Sequence, residues 1–368
     1  MHVVIATGLY PPEIGGPATF SAFFEKELQA RSIPCTVVPF SAVRHLPKGI
    51  RHIAYFIRIF RAIQKGSIVL ALDPVSVGLP ACVAAQLKRA PFYLRAGGDY
   101  AWEQAAQRWG FTGLPEEFPG KARLPMAAKL LVLVERYVAR RARRVLTQSG
   151  HLASIVGRWG IKGETIVVIP NGVTPLSFST KEEIRSALGW GDEVVVVSAG
   201  RFVPWKGFAA VMDACASLAD SYPGIRLYVA GAGPQERELK AKAAKLPFRI
   251  EFPGALPTLT LMRAIHAADV FVLNTRYEGF SHQILEAMAS GAPVVTTDIG
   301  GNADLAQDGE TALLVHWDDA GGIQKAMTRL LEDHQLARRI ADGAKKRAST
   351  FTPERTFIET CRALGIAL

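Results

Sequence analysis

Residues 274–297 have the sequence NTRYEGFSHQILEAMASGAPVVTT, and the fold of the chain is organised around this stretch. An apolar run at residues 269–273 precedes it and is short enough to form a buried parallel strand. Apolar side chains then recur with helical spacing over residues 284–289, and a Gly-Ala-Pro sequence ends that helix. The apolar run at residues 293–297 predicts a second strand. The stretch therefore indicates a strand–turn–helix–strand unit of an α/β fold.

The predicted turn and helix start combine features that suit a phosphate group. Ser281 is a candidate N-cap, and Gly279 lets a ligand approach the backbone closely. The N–H groups and the positive dipole end of such a helix start attract anions. Glu278, in the turn, would lie beside the chemical group that is attached to the phosphate. Glu286, eight residues later, could accept hydrogen bonds from paired sugar hydroxyls. The alternative is that both glutamates are solvated charges at a helix end.

Glu278-Gly-Phe-Ser with Glu286, followed by Ala-Met-Ala-Ser-Gly-Ala-Pro-Val-Val, resembles the E-x7-E signature of the retaining glycosyltransferases of family 4. That family has the GT-B fold, in which two Rossmann-like doubly wound domains face each other across a cleft. The resemblance implies a nucleotide diphosphate sugar as the donor substrate, without a metal ion or other cofactor. It also implies that Glu278 is a catalytic residue that binds the donor sugar and that Glu286 binds the ribose hydroxyls. The backbone of Gly279, Phe280 and Ser281 would hold the diphosphate.

A loop in the second half of the chain carries two cations that agree with this interpretation. Arg201 and Lys206 lie five residues apart, between a predicted strand at residues 193–198 and a helix that begins at Phe208. Two cations aimed at one place suit a diphosphate leaving group, which departs with additional negative charge. The resembled family uses an Arg and a Lys of this loop for that purpose. The alternative is a pair of ordinary surface charges.

Length and pattern predict two domains. At 368 residues the chain exceeds one ordinary domain, and strands alternate with helices throughout, which is typical of parallel sheets. We expect an acceptor-side domain at residues 1–173, joined by a C-terminal crossover helix at about residues 352–368. A donor-binding domain is expected at residues 174–351. The sequence Pro-Asn-Gly-Val at residues 170–173 also matches the resembled family.

Several patterns disfavour other classes of protein. The four cysteines, at positions 35, 82, 215 and 361, show no CxxC or metal-ligand spacing. No DxD motif is placed to hold a metal-bound diphosphate, and no apolar run reaches the 18 residues of a membrane span. The chain starts with a predicted strand rather than a signal peptide. We therefore expect a metal-independent cytoplasmic protein that lies at most peripherally on the inner face of the cell membrane.

The first predicted domain supplies further candidate residues. Gly15 and Gly16 lie in a loop between the first predicted strand and helix, where the resembled family places a loop that faces the donor. A plain tight turn is the alternative. Asp99 follows another predicted strand and is a candidate catalytic residue that contacts donor or acceptor, with an Asx-turn as the alternative. Many family members carry a histidine near this point, where Gly97 and Gly98 occur instead, so we assign no catalytic histidine.

The excess positive charge lies in the first half of the chain. Residues 1–175 hold about 22 Lys and Arg against about 10 Asp and Glu, and the remainder holds about 21 against about 23. The net charge of +10 could therefore serve an anionic membrane surface, nucleic acid or an acidic acceptor. No basic motif with interleaved aromatic residues supports nucleic acid, so we expect none as a partner.

Three segments of the first domain indicate what it contacts. Residues 49–65 predict a basic amphipathic helix, which either lies in a lipid interface or packs its apolar side against the core. Its predicted apolar side is Ile50, Ile53, Ile57 and Phe60, and its predicted polar side is Arg51, Tyr55, Arg58, Arg61 and Lys65. The basic run at residues 140–144 either complements a helix dipole or contacts a phospholipid or phosphate. Residues 111–124, rich in Pro and Gly, predict a mobile loop for the acceptor.

Together, the residues and the resemblance predict a retaining glycosyltransferase that moves a sugar from a nucleotide diphosphate sugar to a glycan or lipid-linked acceptor. The basic first domain favours a place in the synthesis of cell-envelope polysaccharide or glycolipid, with an anionic membrane surface as a further partner. A non-catalytic GT-B-like protein that binds glycans or membranes is the alternative. The complete set of Arg201, Lys206, Glu278 and Glu286 favours the enzyme.

Overall fold

The computed structural model describes residues 1–13, 15–118, 120, 124–174 and 176–368. Contacts divide the chain into two compact units. Unit 1 consists of Met1–Pro170 and Glu354–Leu368, and unit 2 consists of Asn171–Pro353. The expected domain boundaries follow residues 173 and 351, whereas the structure divides the chain after residues 170 and 353.

Unit 1 contains a parallel six-stranded sheet. Its strands are β1 His2–Thr7, β2 Cys35–Pro39, β3 Ser67–Ala71, β4 Phe92–Arg95, β5 Val145–Thr147 and β6 Ile166–Val168. They are ordered β2-β1-β3-β4-β5-β6, and every neighbouring pair is parallel. The order of the strands reverses between β1 and β3. The loops after these two strands therefore border a switch point, where ligands of open α/β sheets bind.

Helices cover both faces of this sheet. They are α1 Gly16–Ala30, α2 Ile50–Ala62, α3 Gly78–Leu87, α4 Tyr100–Trp109, α5 Met126–Arg141, α6 Gly150–Gly157 and a C-terminal helix, Pro353–Leu364. The side chains of a strand alternate between the faces of a sheet. Val3 and Ile5 therefore contact a core that includes α1 and the C-terminal helix. Val4 and Val69 belong to a second core, which α2, α3 and α5 cover.

Unit 2 repeats the architecture with a different strand order. Its strands are β7 Val195–Ala199, β8 Arg226–Ala230, β9 Arg249–Gly254, β10 Val270–Leu273, β11 Val294–Thr296 and β12 Leu313–Leu314. Its helices are α7 Lys181–Ala187, α8 Phe208–Ala216, α9 Glu236–Ala243, α10 Thr258–Ala267, α11 His282–Ser290, α12 Ala320–Glu332 and α13 His334–Ala348. The parallel strands are ordered β12-β11-β10-β7-β8-β9, so the switch point lies between β7 and β10. The predicted strand–turn–helix–strand unit is confirmed as β10, α11 and β11.

The orientation of α2 differs from the sequence prediction. Tyr55, which we expected on the polar side, is fully buried with Ile59, and its hydroxyl donates to the carbonyl of Val38 at 2.6 Å. Ile53 and Ile57, on the predicted apolar side, are 63% and 40% exposed. Helix α2 therefore packs on the core through Tyr55 and Ile59 rather than through its isoleucine side, and Arg58 and Arg61 are exposed. A tyrosine can be buried here because its hydroxyl finds an acceptor inside the unit.

The loop predicted at residues 111–124 is described only in part. It contains a short 3-10 turn, Pro115–Glu117, while Pro119, Lys121, Ala122 and Arg123 lie outside the described residues. In the part of the chain that the structure describes, no helix has the length and apolarity that a bilayer span requires.

Candidate active site

Two loops of unit 2 meet at the switch point of its sheet. Residues 200–207 follow β7 and carry Arg201 and Lys206, and residues 274–281 follow β10 and carry Glu278. Because β7 pairs with β10, both loops leave the sheet side by side at its carboxyl edge. This is the position at which open α/β sheets bind their ligands.

Backbone hydrogen bonds fasten one of these loops to the other. The carbonyl of Trp205 accepts from Arg276 N at 2.8 Å and from the Thr275 hydroxyl at 2.9 Å. Gly207 has a φ of 62°, and a Cβ atom there would collide with the carbonyl of Asn274. A glycine is therefore required at residue 207, both by the left-handed backbone and by the close approach of the second loop.

The fastened loops bring Lys206 and Glu278 together. Lys206 Nζ donates to Glu278 Oε1 in a salt bridge whose two side chains are each 10% exposed. The carbonyl of Glu278 also accepts from Gly301 N at 2.7 Å, which fixes the backbone of the turn. An ammonium group has three N–H donors, so Lys206 retains donors for the oxygens of a bound anion. Arg201 is exposed on the same loop, with its guanidinium 5.8 Å from the ring centre of Trp205.

The start of α11 lies directly after Glu278. Gly279, Phe280 and Ser281 are all buried, and Ser281 is the N-cap, as predicted. Its hydroxyl accepts from Ile284 N at 3.3 Å. The turn therefore places the amide end of a nine-residue helix next to the buried Lys206–Glu278 pair. The helix dipole attracts anions, and the ammonium group of Lys206 retains N–H donors for one.

Glu286 lies farther along α11 and is partly buried. Burial raises the pKa of its carboxyl group to about 7. The carboxyl group therefore changes its charge near neutral pH, which gives the site a group that can accept hydroxyl hydrogen bonds once ionised.

The sequence did not predict a contact at the first helical residue of α11. His282 Nε2 and Asn171 Nδ2 are 2.7 Å apart, within hydrogen-bonding distance. Asn171 belongs to the Pro-Asn-Gly-Val motif, but a separation of 111 residues left no local signal for this pairing. The contact connects the first residues of unit 2 to the helix that carries Glu286.

Asp99 lies in unit 1 as the N-cap of α4, and it is 3% exposed. One carboxyl oxygen accepts from Trp102 N at 2.7 Å, and the other accepts from Trp159 Nε1 at 3.3 Å. Burial raises the pKa of this carboxyl group to about 6, although the hydrogen bond from Trp102 N opposes the shift. These contacts anchor α4, and a contact of Asp99 with substrate stays a prediction.

Gly15 and Gly16 lie at the start of α1, after β1. Gly15 has a φ of 151°, a conformation that side chains disfavour, and a Cβ atom there would lie 2.9 Å from Leu9 Cδ1. The neighbouring Ile14 lies outside the described residues. The two glycines are therefore at the switch point of the unit 1 sheet, and their contact with a donor stays a prediction.

No group of three or more His, Cys, Asp or Glu residues is arranged to hold a metal ion among the described residues. The candidate site in unit 2 contains the ammonium group of Lys206, the carboxyl group of Glu278 and the start of α11. Arg201 lies on the same loop as Lys206, and Glu286 lies farther along α11.

Comparison with known proteins identifies a glycosyltransferase domain in each part of the chain. The family model described as glycosyl transferases group 1 matches residues 180–347, and the glycosyl transferase 4-like domain matches residues 1–172. The fold and these matches define a glycosyltransferase of the GT-B type. Residues 180–347 therefore form a glycosyl transferases group 1 domain, and residues 1–172 form a glycosyl transferase 4-like domain.

Two curated relatives illustrate the extent of the similarity. The chain is 31% identical over 189 residues to phosphatidyl-myo-inositol mannosyltransferase of Mycolicibacterium smegmatis, covering 50% of this chain and 48% of that protein. It is 28% identical over 378 residues to D-inositol 3-phosphate glycosyltransferase of Acidothermus cellulolyticus, covering 92% of this chain and 83% of that protein. The chain spans about half the length of the first curated relatives it matches.

A solved structure agrees with the fold. The Anabaena protein HepE, in complex with UDP-glucose, superposes with a TM-score of 0.78 at 20% sequence identity, covering 99% of each chain. This similarity confirms the predicted α/β fold with two doubly wound domains of the GT-B type.

Proposed function

We propose that this protein is a retaining glycosyltransferase that takes a sugar from a nucleotide diphosphate sugar. The observation that carries the proposal is the buried Lys206–Glu278 pair, which lies at a switch point beside the start of α11. A cation and a carboxylate held side by side can bind the two neighbouring parts of such a donor, the diphosphate and the sugar. The E-x7-E spacing supports the retaining outcome, because the resembled family shares it.

Each site residue has a defined task in this proposal. Lys206, Arg201 and the backbone of residues 279–281 bind the diphosphate, and they stabilise the negative charge that it gains when the bond to the sugar breaks. Glu278 accepts hydrogen bonds from the donor sugar. Glu286, in its ionised form, accepts hydrogen bonds from the ribose hydroxyls. These tasks need no metal ion, because the cations and the helix start supply the positive charge.

The relatives suggest where to look for substrates. HepE binds UDP-glucose, so a UDP-sugar is the first donor to test. The names of two relatives include phosphatidyl-myo-inositol or D-inositol 3-phosphate. A third relative is a lipopolysaccharide core biosynthesis glycosyltransferase of Rhizobium meliloti. With the basic charge of unit 1, these names support a glycan or lipid-linked acceptor in cell-envelope synthesis. They also support a peripheral position on an anionic membrane surface.

A donor screen followed by a transfer assay tests the proposal. A panel of nucleotide sugars is added to the protein, and a bound donor should raise the melting temperature. With the donor that binds, Lys206→Ala should lower turnover about a hundredfold or more, since one oxyanion-stabilising group is worth that much. Lys346→Ala, on the exposed side of α13, is the matched control. Near-wild-type turnover in both Lys206→Ala and Glu286→Ala would refute the site assignment. Glycan binding without any donor hydrolysis would favour the non-catalytic alternative.

A further inference from the structure

Three helices of unit 1 expose large apolar side chains on one side of that unit. Helices α2, α3 and α5 share the core that covers one face of the sheet, so their outer sides belong to one layer. Eight of the thirteen exposed large hydrophobic side chains in the described chain lie on these helices. They are Ile50, Ile53, Ile57, Leu87, Met126, Leu130, Leu133 and Tyr137. We call these eight residues the apolar patch.

Helix α5 contributes half of the apolar patch, and the sequence did not predict this. Met126, Leu130, Leu133 and Tyr137 recur at intervals of four, three and four residues, so they form a line along one side of the helix. They are between 36% and 79% exposed, whereas Val132 and Val138 face the core. Helix α5 is therefore apolar on two sides, and only one of them is covered within unit 1.

The charges around the apolar patch are positive. Helices α2, α3 and α5 contain seven Lys and Arg residues but only one acidic residue, Glu135, which is buried. Isoleucine and leucine side chains gain nothing from a sugar–phosphate backbone, so nucleic acid does not explain the patch. Apolar side chains with surrounding cations are the pattern by which amphipathic helices lie in an anionic lipid interface.

An open groove between α3 and α5 adds a concave site to this surface. It has a volume of about 630 Å³, within the range of ligand pockets. It is lined by Leu79, Leu133, Arg136, Tyr137, Arg140 and Arg141. Leu133 and Tyr137 also belong to the apolar patch, so the groove opens onto the same surface.

Uncharged groups hold two of the guanidinium groups of this groove. Arg140 Nε donates to the carbonyl of Gly160 at 3.2 Å. Arg141 Nη1 donates to the Tyr137 hydroxyl at 3.3 Å, and its guanidinium lies 4.6 Å from the centre of that ring. In the described residues, no carboxylate forms a salt bridge with Arg140 or Arg141. Both positive charges are therefore positioned but not neutralised, which favours a phosphate group.

We propose that the α3–α5 groove binds the phosphate headgroup of an anionic phospholipid while the apolar patch inserts among the first acyl carbons of the bilayer. Arg140 and Arg141 bind the phosphate, and Leu79 and Leu133 contact the glycerol and the start of the chains. This inference rests on the proposed function for the membrane as partner and adds the site of contact. It makes no use of the donor site in unit 2.

Vesicle sedimentation with a matched pair of double variants tests this site. The vesicles are phosphatidylcholine with about 30% phosphatidylglycerol, or phosphatidylcholine alone as reference. Arg140→Gln with Arg141→Gln should lower binding to the anionic vesicles about thirtyfold, because each cation near such a surface contributes about a factor of five to six. The control, Arg338→Gln with Arg339→Gln, removes the same charge from the exposed side of α13 and should leave binding unchanged. If both double variants lost vesicle binding equally, diffuse electrostatic attraction would explain the binding, and the groove would not be the lipid site.

Single apolar substitutions test the insertion. Leu130→Gln should lower vesicle binding, whereas Leu259→Gln, at a leucine on α10 that is 47% exposed, should not. Inorganic phosphate is then added to the vesicles at matched ionic strength. If it displaces the protein, the groove binds free anions, and the proposal of a lipid headgroup is wrong.

The donor-induced rise in melting temperature is measured on every variant. If vesicle binding fails while the donor still stabilises the protein, the lipid site is wrong and the proposed function stands. If vesicle binding follows the expectation while no donor binds, the proposed function is wrong and the lipid site stands.

Discussion

Glu286 is the residue of the candidate site whose charge changes near neutral pH. Burial raises the pKa of its carboxyl group to about 7, so its ionised fraction rises about tenfold between pH 6 and pH 8. In the proposed function, ribose hydroxyls donate to the ionised form of Glu286, and a donor should therefore bind more weakly at pH 6. We expect kcat/KM for the donor to rise about tenfold over this range in the wild type.

Glu286→Gln removes this ionisation while it keeps an acceptor oxygen. Its kcat/KM should be low and should change little between pH 6 and pH 8. Glu332→Gln, at an exposed position on α12, should keep the wild-type profile. A wild-type rise that persists unchanged in Glu286→Gln would place the titrating group elsewhere.

At the level of single residues, sequence patterns predict the charge and spacing of side chains better than they predict which side chains contact each other. The positions of Lys206 and Glu278 were predicted from two separate loops, and the structure shows that they form a buried pair. Asp99 was predicted from a feature that a helix cap and a substrate contact share, an acid at the end of a strand. The contact of His282 with Asn171 was not predictable, because no short-range pattern connects residues so far apart.

The conformation of the loop that carries Lys206 depends on Gly207, so a substitution at this glycine tests the structure of the loop. Gly207→Ala would place a methyl group against the carbonyl of Asn274 and would also strain a φ of 62°. Gly291→Ala at the end of α11 has a φ of 78° but open space around its Cβ position, so it reports the strain alone. We expect Gly291→Ala to cost about 1–2 kcal/mol.

Gly207→Ala should cost more than Gly291→Ala, and it should also weaken donor binding because the two loops separate. Urea denaturation gives the free energies of unfolding, and the thermal-shift assay gives donor binding. Equal stability of the two variants, with donor binding intact in Gly207→Ala, would mean that the loops are not fastened as described.

Glu135 on α5 fixes the start of α4. It is 1% exposed and accepts from Tyr100 N at 2.9 Å. Burial, together with the charge of Asp99, raises the pKa of Glu135 well above its ordinary value of 4.5. The folded protein therefore keeps a proton that the unfolded chain releases, and the free energy of unfolding falls as pH rises above 4.5.

Glu135→Gln retains the acceptor oxygen but cannot ionise. Between pH 5 and pH 8 it should lose less stability than the wild type, as measured by urea denaturation at both values. Glu135→Ala leaves Tyr100 N without this acceptor and should be destabilised at both pH values by about 1–3 kcal/mol. A parallel decline of wild type and Glu135→Gln would show that Glu135 does not titrate in this range.

Hydrophobic periodicity predicts that a helix forms, but it does not decide which side of the helix faces the core. The existence of α2 and its approximate ends followed from the sequence, but its pattern allowed two candidate inner sides. Tyr55 decided between them, because an aromatic ring with a hydroxyl is suited to either environment and only the unit 1 core supplies the Val38 carbonyl. The line of apolar residues on α5 was missed because only the basic run at residues 140–144 was interpreted in that segment.

In the whole molecule, the two units are not simply the two halves of the sequence, because the last residues of the chain belong to unit 1. The charge of each unit therefore has to be counted separately. Unit 1 holds about 24 Lys and Arg against about 12 Asp and Glu, and unit 2 holds about 19 against about 21. The positive charge therefore belongs to unit 1, which carries the apolar patch, and the residues proposed to bind the donor belong to unit 2. Alternating strands and helices predicted both sheets, but their strand orders depend on long-range pairing that no local pattern records.

The last helix of the chain completes the first unit, and this can be tested with the intact protein. Phe357 is fully buried, and its ring centre lies 5.6 Å from that of Phe24 on α1. Arg31 also forms a salt bridge with Glu354 at 2.9 Å, but both side chains are accessible to solvent, so this pair contributes little. Phe357→Ala should therefore lower the stability of unit 1 by about 3–5 kcal/mol, through lost burial and the cavity that remains.

Calorimetry and amide hydrogen exchange resolve the effect by unit. Exchange should accelerate in β1 and β3, which share the core with Phe357, and not in β7 and β10. Leu368→Ala, at a residue that is 63% exposed, should change neither unit. If Phe357→Ala left β1 protected, or accelerated exchange in β7 to the same extent, the C-terminal helix would not be part of unit 1 alone. The division of the chain at residues 170 and 353 would then have to be abandoned, because that assignment depends on the last helix packing on β1 and α1.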